Sequence, residues 1–172
     1  MSTYLNRGCG VLMPVFSLPS QYGIGSFSKE AYDFVDILYR AKQKYWQILP
    51  LNPIGKGDSP YQSTSTFAGN PLFIDIESIS VDSLLLEKLK SEQNNVIEYE
   101  KVKEISETAL RNSFKNAFDE KNTKYQQFVK KNSFWLEDYS LFMALKKYYD
   151  GKEWIDWEEG IRLRKKSFCS LF

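Results

Sequence analysis

The chain has no histidine, and cysteine occurs only at Cys9 and Cys169. Without histidine no Ser-His-Asp or Cys-His triad can be assembled, and the commonest metal ligand is missing. The two cysteines lie far apart and lack CxxC spacing, so neither a disulfide framework nor a thiolate metal site is expected. Charge of one sign is not in excess either: 23 basic against 22 acidic residues leave a net +1. Such a chain projects no long-range field toward nucleic acid or an anionic membrane. No apolar run approaches the ~18 residues of a membrane span. The opening MSTYLNRGCG has no apolar signal core, which makes the cytoplasm the expected location. Basic pairs such as Lys130-Lys131 and Lys165-Lys166 have acidic neighbours and read as solvated helix faces.

Apolar matter, by contrast, is plentiful. Hydrophobic residues make up 42% and aromatic residues 16%, enough for a packed core and too many for a disordered chain. A length of 172 residues fits one ordinary domain or part of a larger one.

Val11 to Phe16 is a short, nearly continuous apolar run, as in a strand buried on both faces. A loop, SLPSQYGIGS (17–26), follows it. Ser28 can then cap a helix, with Glu30 near the positive end of its dipole. Ala31, Phe34, Val35 and Leu38 fall at i, i+3, i+4 and i+7, one apolar helical face. A brief link leads to a second buried run, Tyr45 to Leu51, and then to a long loop over 52–71. Strand, loop, helix, short link, strand is the βαβ unit of a parallel sheet, so the fold class is α/β. Ligand sites in such folds lie at the carboxyl ends of the strands, which singles out loops 17–26 and 52–71.

From about Val81 the pattern becomes helical. Leu84, Leu85, Leu86 and Leu89 cluster; Val102, Ile105 and Ala109, then Leu110, Phe114, Ala117 and Phe118, form a drifting stripe. Asn132-Ser133 breaks the pattern before a helix over Phe134 to Tyr149. That helix is apolar nearly all round, at Trp135, Tyr139, Leu141, Phe142, Leu145 and Tyr148, and is expected to be buried against neighbours. Asp150-Gly151 should end it. The expected division is therefore a β/α portion over 1–80 and a mainly helical portion over 81–172. Two βα steps do not close a sheet, and a complete barrel takes ~200 residues or more. The expectation is the first part of a larger α/β protein.

Chemistry concentrates in the second loop. GKGDS, Gly55 to Ser59, superficially resembles a phosphate loop, but Gly57 follows Lys56 where Ser or Thr is required. A glycine-allowed turn is the simpler reading. Asp58, Ser59, Tyr61 and Gln62 form a better cluster. A sugar presents ring hydroxyls, which need short polar partners, and an apolar face, which favours an aromatic ring. The acids of the helical half (Glu98, Glu100, Glu104, Glu107, Asp119 and Glu120) read as solvent-facing charges, so no catalytic carboxylate pair is found.

Several ordered segments resemble the amylomaltases, or 4-α-glucanotransferases, of glycoside hydrolase family 77. They are the opening G-x-L-x-P-x-x-S-L-P (GVLMPVFSLPS), YGIG at Tyr22 to Gly25, and EAYDFVD at Glu30 to Asp36. YWQILPLNP, GDSPYQS at Gly57 to Ser63 and FAGNP at Phe67 to Pro71 follow. Trp154-Ile155-Asp156-Trp157 with Arg162 and Arg164 is similar to a later W-x-x-W and L-R-x-R region. The resemblance implies an α-amylase-type (β/α) barrel, of which this chain holds the first two strands and first helix, interrupted by a helical insert. It implies enzymes that move α-1,4-glucan segments to the 4-hydroxyl of another glucan, with retention and through a covalent intermediate. Ser59 then hydrogen-bonds a sugar hydroxyl, and Tyr61 packs against the sugar beside the scissile bond. Asp58 and Gln62 complete the substrate-binding set. No metal or organic cofactor is implied; the partners are α-1,4-glucans and the remainder of the barrel. Lys56 stands where some relatives carry a Tyr of a secondary glucan site. The nucleophilic Asp, the acid/base Glu and a third Asp are expected beyond Phe172. The alternative is a remnant that only binds a glucan or a protein partner.

Overall fold

The computed structural model describes residues 7–55, 57–90 and 96–165. Lys56, Cys169, Lys166 of the second basic pair and the expected barrel continuation beyond Phe172 lie outside them. The chain divides into two compact units, Met1–Phe118 and Asp119–Phe172. The expected boundary at 80/81 falls inside the first unit.

In the first unit, strands β1 (Gly10–Leu12) and β2 (Tyr45–Gln47) pair in parallel, in the register Gly10↔Tyr45, Val11↔Trp46 and Leu12↔Gln47. Helix α1 (Lys29–Arg40) makes the crossover, so the βαβ unit is present. Both strands are shorter than the apolar runs. Pro14 cannot donate to a ladder, and the chain turns at Val15–Ser17 into a short 3-10 segment instead. Nor are the strands buried on both faces. Leu12 is 56% exposed, because the sheet holds only two strands among the described residues. Trp46 braces the pair, donating from Nε1 to the Met13 carbonyl at 2.7 Å and meeting Phe34 edge-on.

Helix α1 starts after Ser28, whose hydroxyl donates to Glu30 instead of accepting a backbone N–H. Ala31 and Leu38 are buried, but Val35 of the expected face is exposed. The helix turns a narrower stripe to the sheet than its sequence offers.

The main core lies at the carboxyl end of the strands. Val15, Ile24, Leu72, Phe73 and Val102 are buried together, with Trp46, Leu51, Ile54 and Tyr99 packed against them. Val102 belongs to α3 (Tyr99–Ala117), which also buries Ile105 and Ala109 beside Ile76. Leu86 and Leu89 of α2 (Ser83–Leu89) pack on that second cluster, while Leu84 points to solvent. This packing places α2 and α3 in the same unit as the strands.

The second unit holds α4 (Thr123–Asn132), α5 (Leu136–Tyr148) and α6 (Glu159–Arg162). Asn122 caps α4 by accepting the N–H groups of Lys124 and Tyr125. Asp150 and Gly151, both at positive φ, end α5, with the Gly151 N–H reaching back to the Lys146 carbonyl. The expectation that α5 is buried nearly all round does not hold: of its residues only Leu145 is buried, and Tyr148 is 66% exposed. Among the described residues of this unit, Leu145 meets Trp157 and Ile161 as buried partners, enough to cover one side. No helix among the described residues is long and apolar enough to cross a membrane.

Candidate functional site

Because β1 and β2 run parallel, the segments that leave them, 13–28 and 48–70, emerge at the same edge of the sheet. The first is folded on itself and tied to the turn beyond the second, and both meet one core. The Gly25 N–H donates to the Phe16 carbonyl at 3.1 Å, and the Phe27 N–H to the Phe73 carbonyl at 3.1 Å. Ile24 and Val15 from one segment share a core with Leu72 and Phe73 from beyond the other.

The second loop is long but ordered by its own polar groups. The Asn70 N–H donates to the Leu51 carbonyl at 2.8 Å, closing the base. The Asn52 amide donates to the Thr66 and Ala68 carbonyls. Ser65 Oγ accepts the N–H groups of Phe67 and Ala68. Asn70 is buried; its Oδ1 caps the turn at Pro71–Phe73 by accepting the Leu72 N–H at 3.0 Å. A small hairpin projects between these anchors. Ile54 and Ser63 form an antiparallel bridge, and the Gly55 N–H donates to the Gln62 carbonyl at 2.7 Å.

At the tip the chain reverses through two left-handed residues, Gly57 (φ 98°) and Asp58 (φ 55°). Glycine has no Cβ to clash there, and aspartate tolerates the region better than most residues. The Gln62 N–H then donates to the Ser59 carbonyl, and the Ser59 hydroxyl accepts the Tyr61 N–H at 3.4 Å. Tyr61 stands out from the surface, 73% exposed, and the Gln62 side chain is exposed beside it. Ser59, Tyr61 and Gln62 are thus gathered on one short turn.

Asp58 faces the other way. Its Oδ1 lies 3.0 Å from Nζ of Lys103 on α3, and Lys103 also meets Glu100 at 2.9 Å. Partial burial pulls the Lys103 ammonium down, but the hydrogen bonds to Glu100 and Asp58 outweigh it and raise it above an ordinary lysine. Burial, then the nearby Asp58 charge, raises the Tyr99 phenol as well. Lys103, Tyr99 and Asn70 are site neighbours that sequence reasoning missed. Asn70 had a signal, an Asn-Pro turn ahead of an apolar run; Lys103, 45 residues from Asp58, had none.

The loop's own carboxylate, Asp58, is already ion-paired with Lys103. A larger hollow of about 210 Å³ lies in the second unit, floored by Phe142, Leu145 and Trp157. Its polar rim is occupied with itself: Arg164 pairs with Asp138 at 2.7 Å, and Arg162 donates to the Ile155 carbonyl.

A βαβ unit that holds a polar, aromatic-tipped loop at the strands' carboxyl end defines an α/β protein, a class whose ligands bind at that end of the strands. The chain matches the 4-alpha-glucanotransferase family over residues 13–171 and belongs to that family. It is 44% identical over 169 residues to the 4-alpha-glucanotransferase of Streptococcus pneumoniae serotype 4, covering 94% of this chain and 33% of the relative. To that of Clostridium butyricum it is 42% identical over 158 residues, covering 89% and 32%. Its fold is similar to that of an amylomaltase from Streptococcus agalactiae in complex with acarbose, with a TM-score of 0.75 and 37% identity, over 96% of this chain and 35% of that one. The chain spans about a third of the length of these relatives.

Proposed function

We propose that the complete protein encoded by this gene is a 4-α-glucanotransferase. It cleaves an α-1,4 bond of a donor glucan and passes the glucosyl chain to the 4-hydroxyl of a second glucan or glucose, by a retaining double displacement. In this reading the βαβ unit opens a (β/α) barrel, the later helices are an insert, and the protein works in the cytoplasm on maltodextrins without a cofactor. The nucleophile, the acid/base and the third carboxylate are supplied from outside these 172 residues.

The observation that carries the reading is the turn at Gly57 to Ser63. It presents Tyr61 as an open aromatic face next to a serine hydroxyl and a glutamine amide, the surface a glucose ring needs. Tyr61 packs on the ring next to the scissile bond, Ser59 and Gln62 bind hydroxyls, and Asp58 holds the turn. Family membership supplies the reaction class. Incubating the complete protein with maltotriose tests it: glucose and longer glucans should appear together. Failure to redistribute maltotriose would refute the assignment.

A further inference from the structure

The tip of the 52–71 loop is held from two directions of unequal kind. At its base the Ile54–Ser63 bridge and the Gly55-to-Gln62 hydrogen bond close a hairpin. At its tip the link to the rest of the unit is polar. A cavity of about 10 Å³ lies against Asp58 and Pro60, walled by Ile54, Asn70 and Tyr99. The buried Nδ2 of Asn70, a residue lining that cavity, has no hydrogen-bond partner among the described residues. To the packing beneath the turn the Lys103–Asp58 ion pair adds a polar hold. Lys103 reaches across from α3 to Asp58, the residue held at φ 55°. The helix does not need this bond, since Glu100 satisfies the same ammonium one turn away.

We propose that Lys103 is a positioning residue for the glucan-binding turn: by holding the Asp58 carboxylate it fixes the left-handed reversal that presents Ser59 and Tyr61. This rests on the reading of that turn as a glucan-binding element. Lys103 touches no substrate. It acts through Asp58, and its contribution falls on binding, so it is read in KM more than in kcat.

The test uses the complete protein in two arms. Hydrogen exchange follows the amides of residues 57–63 in the parent and in Lys103→Met, Lys103→Arg, Asp58→Asn and the Lys103→Met/Asp58→Asn double variant. Lys103→Met and Asp58→Asn should each speed exchange about two- to fivefold, as loss of a half-exposed ion pair allows. The double variant should be no faster than either single one, Lys103→Arg should restore most of the protection, and Glu100→Gln should leave it unchanged. The second arm measures maltotriose kinetics, where Lys103→Met should raise KM by the same factor with kcat nearly constant. Unchanged exchange in Lys103→Met, or additive effects in the double variant, would overturn the positioning role. Faster exchange with no change in KM would overturn its link to glucan binding. A parent protein inert toward maltotriose would instead remove the functional reading and leave the exchange result standing.

Discussion

Replacing Gly25 with alanine should cost the fold more than any other single methyl group in the first unit. A Cβ at this position would lie 2.1 Å from the Val15 carbonyl oxygen, 2.7 Å from that of Leu18 and 2.8 Å from the Leu18 nitrogen. Ordinary carbon–oxygen contacts are about 3.3 Å or longer, so the backbones must part by roughly an ångström. Neither side is free to move. The Val15 carbonyl accepts the Leu18 N–H, and the Val15 side chain is 2% exposed in the main core. On the other side Ile24 is buried in the same cluster, and the Phe27 N–H is tied to Phe73. Overpacking costs about 1–3 kcal/mol, and a clash with backbone instead of a flexible side chain belongs at the upper end, about 3 kcal/mol. In urea, with a slope of about 3 kcal/mol/M, the midpoint of the complete protein should fall by ~1 M. Gly57→Ala is the contrast. Its nearest neighbour is the Gln62 side-chain oxygen at 3.6 Å, so there is room, and only the positive φ of 98° is at stake. That costs about 1–2 kcal/mol. A Gly25→Ala protein with an unchanged midpoint would show that segment 13–28 is not folded tightly on itself around Val15 and Leu18, and this part of the site's scaffold would be wrongly described.

Three further outcomes are expected. Tyr61→Ala should lower kcat/KM on maltotriose about three- to tenfold, the worth of one aromatic contact, while leaving the urea midpoint in place because the ring is exposed; an equal loss of stability would make Tyr61 a packing residue. Leu145→Ala should destabilise the second unit by about 2–4 kcal/mol, since Leu145 is one of three residues buried in its core; urea titration monitored by Trp157 fluorescence reads this, and a shift under 1 kcal/mol would contradict that core. The 172-residue chain alone should produce no glucose from maltotriose and should associate, because Leu12 on the two-stranded sheet and Ile48 just past β2 stay exposed. A monodisperse monomer in sedimentation, or measurable transfer, would refute that pair of statements.

The order of elements was legible without coordinates. Apolar runs at Val11 and Tyr45, a helical period between them and turn residues after each are local signals, and they state a βαβ unit with its loops at one edge. The turn at Gly57 to Ser63 was legible for the same reason: glycine, proline and hydroxyl residues declare their own conformations. Helix ends at Asn132 and Asp150-Gly151 also followed from local chemistry. The first run, expected to be one strand from Val11 to Phe16, ends at Leu12 because Pro14 cannot continue the ladder.

Burial was decided elsewhere. Periodicity names the face that can be buried, and neighbours decide whether it is; hence Val35 and Tyr148 face solvent, and Tyr139, Leu141 and Phe142 of α5 are only half-buried, despite apolar patterns. The extent of the first unit, through Phe118, depends on α3 finding the cores through Val102 and Ile105. The partner of Asp58 was equally out of reach. Its spacing to Lys103, 45 residues, matches no helical or strand period, so only the folded chain could bring that carboxylate and that ammonium to 3.0 Å.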